Sequence, residues 1–153
     1  MLIQQTAGGI LLTLEPAPLP ETLINPIRDR WCADEEDNIV DLLLSHAAAI
    51  ADACAFLRHE KVTSVDGMTV TLGEQTFTSS LVAQKLHTPG ITAVGYVATC
   101  GQALHLARAD YADDFVAGAI WDDICLAYLR MAMDMFQKYV MQHFFPSKDH
   151  KKM

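Results

Sequence analysis

Residues 91–107 read ITAVGYVATCGQALHLA, and the change of pattern inside this stretch decides the fold class. Ile91 to Ala98 is short, carries β-branched and aromatic residues, and is bounded by Pro89-Gly90 and by Thr99-Cys100-Gly101. That is the pattern of a strand. The residues that follow, GQALHLARA, read as a short helix. Strand and helix candidates are segregated along the chain, which predicts an α+β fold: a small antiparallel or mixed sheet, helices on one face and one long C-terminal helix.

Working upstream, KVTSV and MTVTL are β-prone runs joined by Asp66-Gly67, a pair suited to the positive φ angles of a tight hairpin turn. After GEQTF, Thr78 is placed to cap a short helix, SSLVAQKL, that ends before Pro89-Gly90. Earlier still, Asp34 has the character of an N-cap, with Glu35, Glu36 and Asp37 suited to a helix dipole. The run NIVDLLLSHAAAIADACAFL then predicts one helix, with Ile39, Leu43, Ala47, Ile50, Cys54 and Leu57 as its buried stripe. Ahead of it, residues 1–33 hold a strand candidate, GILLTL, and EPAPLPETLINPIRDR, where four of the six prolines fall. Proline lacks the N–H a helix interior needs, so this segment is expected to be an extended arm lying over a single domain of residues 34–145.

Downstream, Asp110, Asp113 and Asp114 stand near the start of a helix ending about His143, with no proline from Tyr111 to Phe145. Such a helix would be roughly 50 Å long, more than one small domain usually buries. Either it breaks near Gly118 or its far end needs a partner. The residues 146–153, PSKDHKKM, are expected to be a disordered basic tail.

A chain of 153 residues that is 51% hydrophobic and 20% charged can bury a sizeable core. Its formal charge of −8 opposes attraction to phosphate, which argues against nucleic acid and anionic membranes as partners. The N-terminus has no basic segment ahead of its short apolar run, and no apolar stretch is long enough to span a bilayer, so a soluble cytoplasmic protein is the default expectation. Cys32, Cys54, Cys100 and Cys125 are scattered without a CxxC pair, signalling neither a zinc site nor a disulfide framework.

Two residues stand out as carriers of chemistry. Cys100 sits between a strand and a helix, where oriented N–H groups favour thiolate. A nucleophile also needs a base, and His105, about 500° of helical rotation away, is off its face, while His87 would have to approach by tertiary contact. The competing reading is a small buried hydrophobe. Asp122 falls inside the series Phe115, Ala119, Asp122, Leu126, Leu129, Met133, Phe136 and Val140, which occupies one helical stripe. A carboxylate there must be paired, so it is either a structural anchor bonded to backbone groups, Arg28 or Arg30, or a residue facing a ligand cleft. Asp123 belongs to the other face, with Arg130, Asp134 and Lys138, where Asp134 and Lys138 can pair. The six histidines form no ligand pair at helical spacing, so no metal site is expected. Met131, Met133, Met135 and Met141, with Tyr128 and Tyr139, serve either as core or as an interface with another chain.

From Asp34 onward the chain resembles the family of the activation domain of cobalamin-dependent methionine synthase. The residues that carry the resemblance are DEEDNIVDLLLSHAAAIADACAF, the strand KVTSV, the run EQTFTSSLVAQKLHTPGITAVGYVATCG and the helix AGAIWDDICLAYLRMAMD. The third looks like the family phrase F-x-S-x-x-[IV]-x-x-x-L followed by a strand and T-L-G. Thr99 and Gly101 match T-x-G, Cys100 stands at the leucine position, and Asp122 stands at the recurrent acidic position of the long helix. The resemblance implies an accessory role in reductive reactivation of a corrinoid cofactor, with Thr99, Gly101 and Asp122 as candidate cofactor-binding residues. The ligand would be S-adenosylmethionine, or a corrinoid reached through a partner. The family's Pro-Gly-Tyr motif, which forms much of its S-adenosylmethionine site, is replaced here by HFFPSKDHKKM, with Pro146 as its remnant. The expectation is a site completed by a second copy or a companion subunit, met through the C-terminal helix, with no independent catalytic activity. The alternative is a non-catalytic homo-oligomeric scaffold or small-molecule-binding module.

Overall fold

A computed structural model describes residues 1–32 and 39–145; the expected Asp34 cap, Pro146 and the basic tail lie outside the described residues. In chain order the elements are strands β1 (Leu2–Thr6) and β2 (Gly9–Thr13), helices α1 (Glu21–Trp31) and α2 (Ile39–Ile50), strands β3 (Cys54–Asp66), β4 (Thr69–Leu72) and β5 (Gln75–Thr78), helix α3 (Ser80–Lys85), strand β6 (Thr92–Thr99) and helix α4 (Gln102–Ala107). A 3-10 turn, Arg108–Tyr111, leads to the last helix, α5 (Phe115–Phe144). The fold is α+β, with an antiparallel sheet ordered β1-β2-β3-β4-β5 and β6 paired to β3. Among the described residues no helix is long and apolar enough to cross a membrane.

The chain divides into two units, the first of residues 1–4, 11–55 and 98–153, the second of 5–10 and 56–97. In the first unit α1, α2, α4 and α5 enclose a core built on Leu43, Ala47, Leu104, Ile120, Trp121, Ile124 and Tyr128. In the second, Val62, Val70 and Ala83 form a small core between the β3–β4 hairpin and α3.

The hairpin forms where alternation and glycine predict it, with Asp66 opposite Thr69 and Val65 opposite Val70. The two turn residues are Gly67, at φ 57°, and Met68, one position later than the Asp66-Gly67 pair expected. Glycine first with no positive φ at the second position is the type II′ arrangement. Gly73 repeats the device at φ 56°, turning β4 into β5, a strand the sequence reading passed over. Thr78 consequently ends a strand, and it is Ser79 that caps α3, accepting from the Val82 N–H at 3.3 Å.

Three other expectations need correction. The expected extended arm contains a helix: Pro16, Pro18 and Pro20 precede α1, and Pro26 is tolerated inside it because Ile24 and Ile27 bury one face. At the other end of α2 the helix stops at Ile50 instead of reaching Leu57. Ala53, Ala55 and Leu57 are buried while Phe56 is exposed, so the period changes from helical to two as the chain enters β3. The third concerns which side of α5 is inside. The helix starts where Asp114 accepts from the Ala117 N–H at 3.0 Å, and it runs unbroken through Gly118 for about 45 Å. Its buried face is Ala117, Ile120, Trp121, Ile124, Ala127, Tyr128, Ala132, Phe136 and Tyr139. The expected stripe is rotated off it: Phe115 is 87% exposed, Leu126 44% and Met133 41%, and the two faces share only Phe136. α5 has apolar residues on two sides, and periodicity alone cannot choose between them.

Candidate functional site

The joint between β6 and α4 is held by two short-range bonds and one from a distance. The Gly101 N–H donates to Thr99 Oγ1 at 3.2 Å, folding the turn on itself. Asp52, just past α2, accepts from the Ala103 N–H at 3.2 Å and so satisfies a free donor in the first turn of α4. Gly101 has φ 106°, and a Cβ there would run into the Asp52 carboxylate and main chain. Glycine is required here twice over, by conformation and by the close approach of Asp52.

Cys100 lies in this turn and packs, with Cys125 of α5, against the core of the first unit. Its thiol is pulled down to about pKa 6, chiefly by the hydrogen bond from Cys125, with Thr99 and the charge of His105 acting in the same direction and burial opposing. Cys125 is correspondingly pushed up, by that same bond and by burial. Burial, helped by Asp52 and Cys100, also raises the Cys54 thiol. His105 thus reaches Cys100 through its charge despite lying off its helical face.

Asp122 is on α5, one turn before Leu126, and its side chain is 65% exposed. Its partner is Arg108, whose Nε donates to Asp122 Oδ1 at 3.0 Å; neither Arg28 nor Arg30 reaches it. Gly118 leaves the space in which the Arg108 guanidinium lies, since a Cβ at that position would meet it at 2.6 Å. Asp122 and Arg108 both act electrostatically on Cys125. Of the three expected site residues, Thr99 thus acts on Cys100 and Asp122 on Cys125, while Gly101 shapes the turn. The expected burial of Asp122 is corrected: its place on α5 lies beside the core face, not in it.

The sheltered carboxylate is its neighbour. Asp123 has a side chain only 23% exposed, accepts from Arg30 at 2.9 and 3.1 Å and takes the Trp31 indole N–H at 2.8 Å. The sequence gives only a faint signal for this, the adjacent donors Arg30 and Trp31 at the end of the segment. Asp134 and Lys138 make no ion pair with each other. A further cluster was not anticipated: His46 Nδ1 lies 2.6 Å from the Tyr111 hydroxyl, and both rings pack on Trp121, whose indole donates to the Leu104 carbonyl at 2.9 Å.

Two surface hollows belong to the first unit. One, of about 100 Å³, is lined by Leu23, Pro26, Arg30, Asp123, Leu126 and Arg130; the other, of about 370 Å³, lies between α1 and α2. Neither is lined by Thr99, Gly101 or Asp122. Among the described residues no group of three or more His, Cys, Asp or Glu is arranged to hold a metal ion. No protein-family model matches the chain, and no curated protein matches it.

Proposed function

We propose that this chain is a cytoplasmic accessory protein related to the reactivation domain of cobalamin-dependent methyltransferases, which binds a corrinoid protein or S-adenosylmethionine only when another subunit completes the site. The observation that carries this reading is the joint of Thr99 and Gly101 beside the long helix bearing Asp122. These are the elements, in the same order, on which the family resemblance rests. Asp122 is exposed and one ion pair engages it, so its carboxylate is open to a cationic group of a ligand or partner. The test is titration with S-adenosylmethionine and with cob(II)alamin, by calorimetry and absorbance, alone and with a corrinoid protein present. Binding is expected only in the presence of the partner, and weaker for Asp122→Asn. No binding under either condition overturns the proposal.

A second reading, a homo-oligomeric scaffold, is favoured by the outer face of α5, where Phe115, Leu126 and Met133 are exposed. Sedimentation at micromolar concentration separates the two: a monodisperse monomer removes the scaffold reading.

A further inference from the structure

Strand β6 stands at an edge of the sheet, and its outer side is bare. Among the described residues it pairs with β3 alone, and none of its eight residues is buried. With eight residues against five in β1 and four in β5, it is the longest of the edge strands. Just ahead of it, the Val62 N–H of β3 donates to the Ile91 carbonyl at 2.9 Å. Main-chain groups alternate sides along an antiparallel strand, so Thr92, Val94, Tyr96 and Ala98 aim their N–H and C=O groups at the open side. Such a row of unpaired donors and acceptors is a template for a further strand, and natural sheets guard their edges with lysine and other charges, with proline or with a covering element. The strand reads TAVGYVAT and has no charged residue and no proline.

We propose that β6 is the contact through which two copies of this chain associate, strand to strand, in an antiparallel pair about a two-fold axis at Gly95. A two-fold contact must be self-complementary, and the composition of β6 meets that condition. About this axis Val94 of each copy stands opposite Tyr96 of the other, an aromatic with a β-branched residue, which is a favourable cross-strand pair. Ala93 stands opposite Val97 and Thr92 opposite Ala98, so no like charges meet along the strand although each chain has a formal charge of −8. The centre is clear, since a Cβ at Gly95 would have nothing within 4 Å. Val97, 75% exposed, and Tyr96, 45% exposed, are on opposite faces of the strand, so the added copy covers apolar surface on both. Main-chain bonds supply the adhesion, as in other cases of strand addition, and the side-chain pairs fix the register. This contact is separate from the outer face of α5 and does not depend on the corrinoid reading.

The experiment follows the full-length chain by sedimentation across the micromolar range, with hydrogen exchange read by NMR on the same samples. The expected result is a dimer that forms as concentration rises, with the amides of Val94 and Tyr96 slowed at least about tenfold in step with it and those of β5 unchanged. Gly95→Lys sets two ammonium groups against each other at the axis, and so does Gly95→Glu with carboxylates. Gly95 is outside the left-handed region and has open space around it, so both variants are expected to fold. Each alone should be monomeric, and an equimolar mixture of the two should restore the dimer, a rescue that a contact elsewhere on the molecule would not show. Leu126→Asp with Met133→Asp should leave this dimer intact. Should the Gly95 variants fail to fold, the exchange of the unsubstituted chain still decides. A monomer throughout, a dimer that Gly95→Lys does not weaken, a mixture that stays monomeric, or a dimer whose β6 amides exchange as in the monomer would each overturn the proposal.

Discussion

Asp122 and Asp123 are adjacent on α5, yet substituting them has different costs. Asp123→Ala leaves the Trp31 indole and Arg30 without their acceptor in a half-buried setting, where charge-assisted hydrogen bonds are worth about 1.5–3 kcal/mol. Asp122→Ala breaks an exposed pair, worth less than about 1 kcal/mol. Urea unfolding of the two variants should show that order, and equal losses would contradict the assignment of Asp123 as the anchor. At the joint, Asp52→Ala removes the partner of the Ala103 N–H and should cost about 1 kcal/mol. Gly101→Ala should cost more, through both its φ of 106° and the collision with Asp52. Because Asp52→Ala removes the carboxylate part of that collision while the main-chain part remains, the double substitution is expected to cost somewhat less than the sum of the two, and strict additivity in a double-mutant cycle would count against the carboxylate contact.

Among the elements, α5 is where periodicity was legible and orientation was not. A proline-free run with Asp114 at its start defines the helix, but Ile120, Trp121, Ile124 and Tyr128 compete with Leu126, Leu129 and Met133 for the inside, and the contest is settled by packing against α1, α2 and the 3-10 turn. Wide aromatic side chains prevail because each removes more apolar surface from water. The hairpin was legible because its turn chemistry is local. α1 was not, because its prolines argue locally against a helix that tertiary burial of Ile24 and Ile27 sustains. Leu126→Asp with Met133→Asp should leave the circular dichroism of the chain unchanged while dissociating any oligomer held by this face, as sedimentation would show; loss of helix would mean that this face is internal. Tyr128 gives α5 an alkaline limit. Burial pushes its pKa up to about 12, and its hydroxyl donates to the Ala17 carbonyl at 2.8 Å. The unfolded phenol ionises near about pH 10, so its contribution is complete below that pH and is lost as pH rises through about 12. Tyr128→Phe should cost about 0.5–1.5 kcal/mol at neutral pH and flatten the fall in stability above pH 10, measured by urea unfolding at several pH values.

At the scale of the molecule, the two units have cores of unequal size: a large cluster under α5 in one, and Val62, Val70 and Ala83 with a few half-buried neighbours in the other. Segments with few buried contacts open at lower free energy. Amides of β4, β5 and α3 should therefore exchange faster than those in the buried middle of α5, and a uniform protection pattern by hydrogen-exchange mass spectrometry would contradict this. The division itself was not legible, because each unit is assembled from separated segments, 5–10 with 56–97 on one side and the rest on the other, and hydropathy records local pattern, not which segments meet. The candidate site was legible as a turn, through Thr99 and Gly101, but its second thiol and its salt-bridged Arg108 come from segments that only folding brings near. The placement of the indoles has a practical consequence. Both tryptophans of the chain, Trp31 and Trp121, belong to the first unit. Intrinsic fluorescence excited at the indole band is thus blind to the second, whose melting would register only in the far-ultraviolet signal of its strands, so the offset between those two optical curves reads out directly whether the halves melt together.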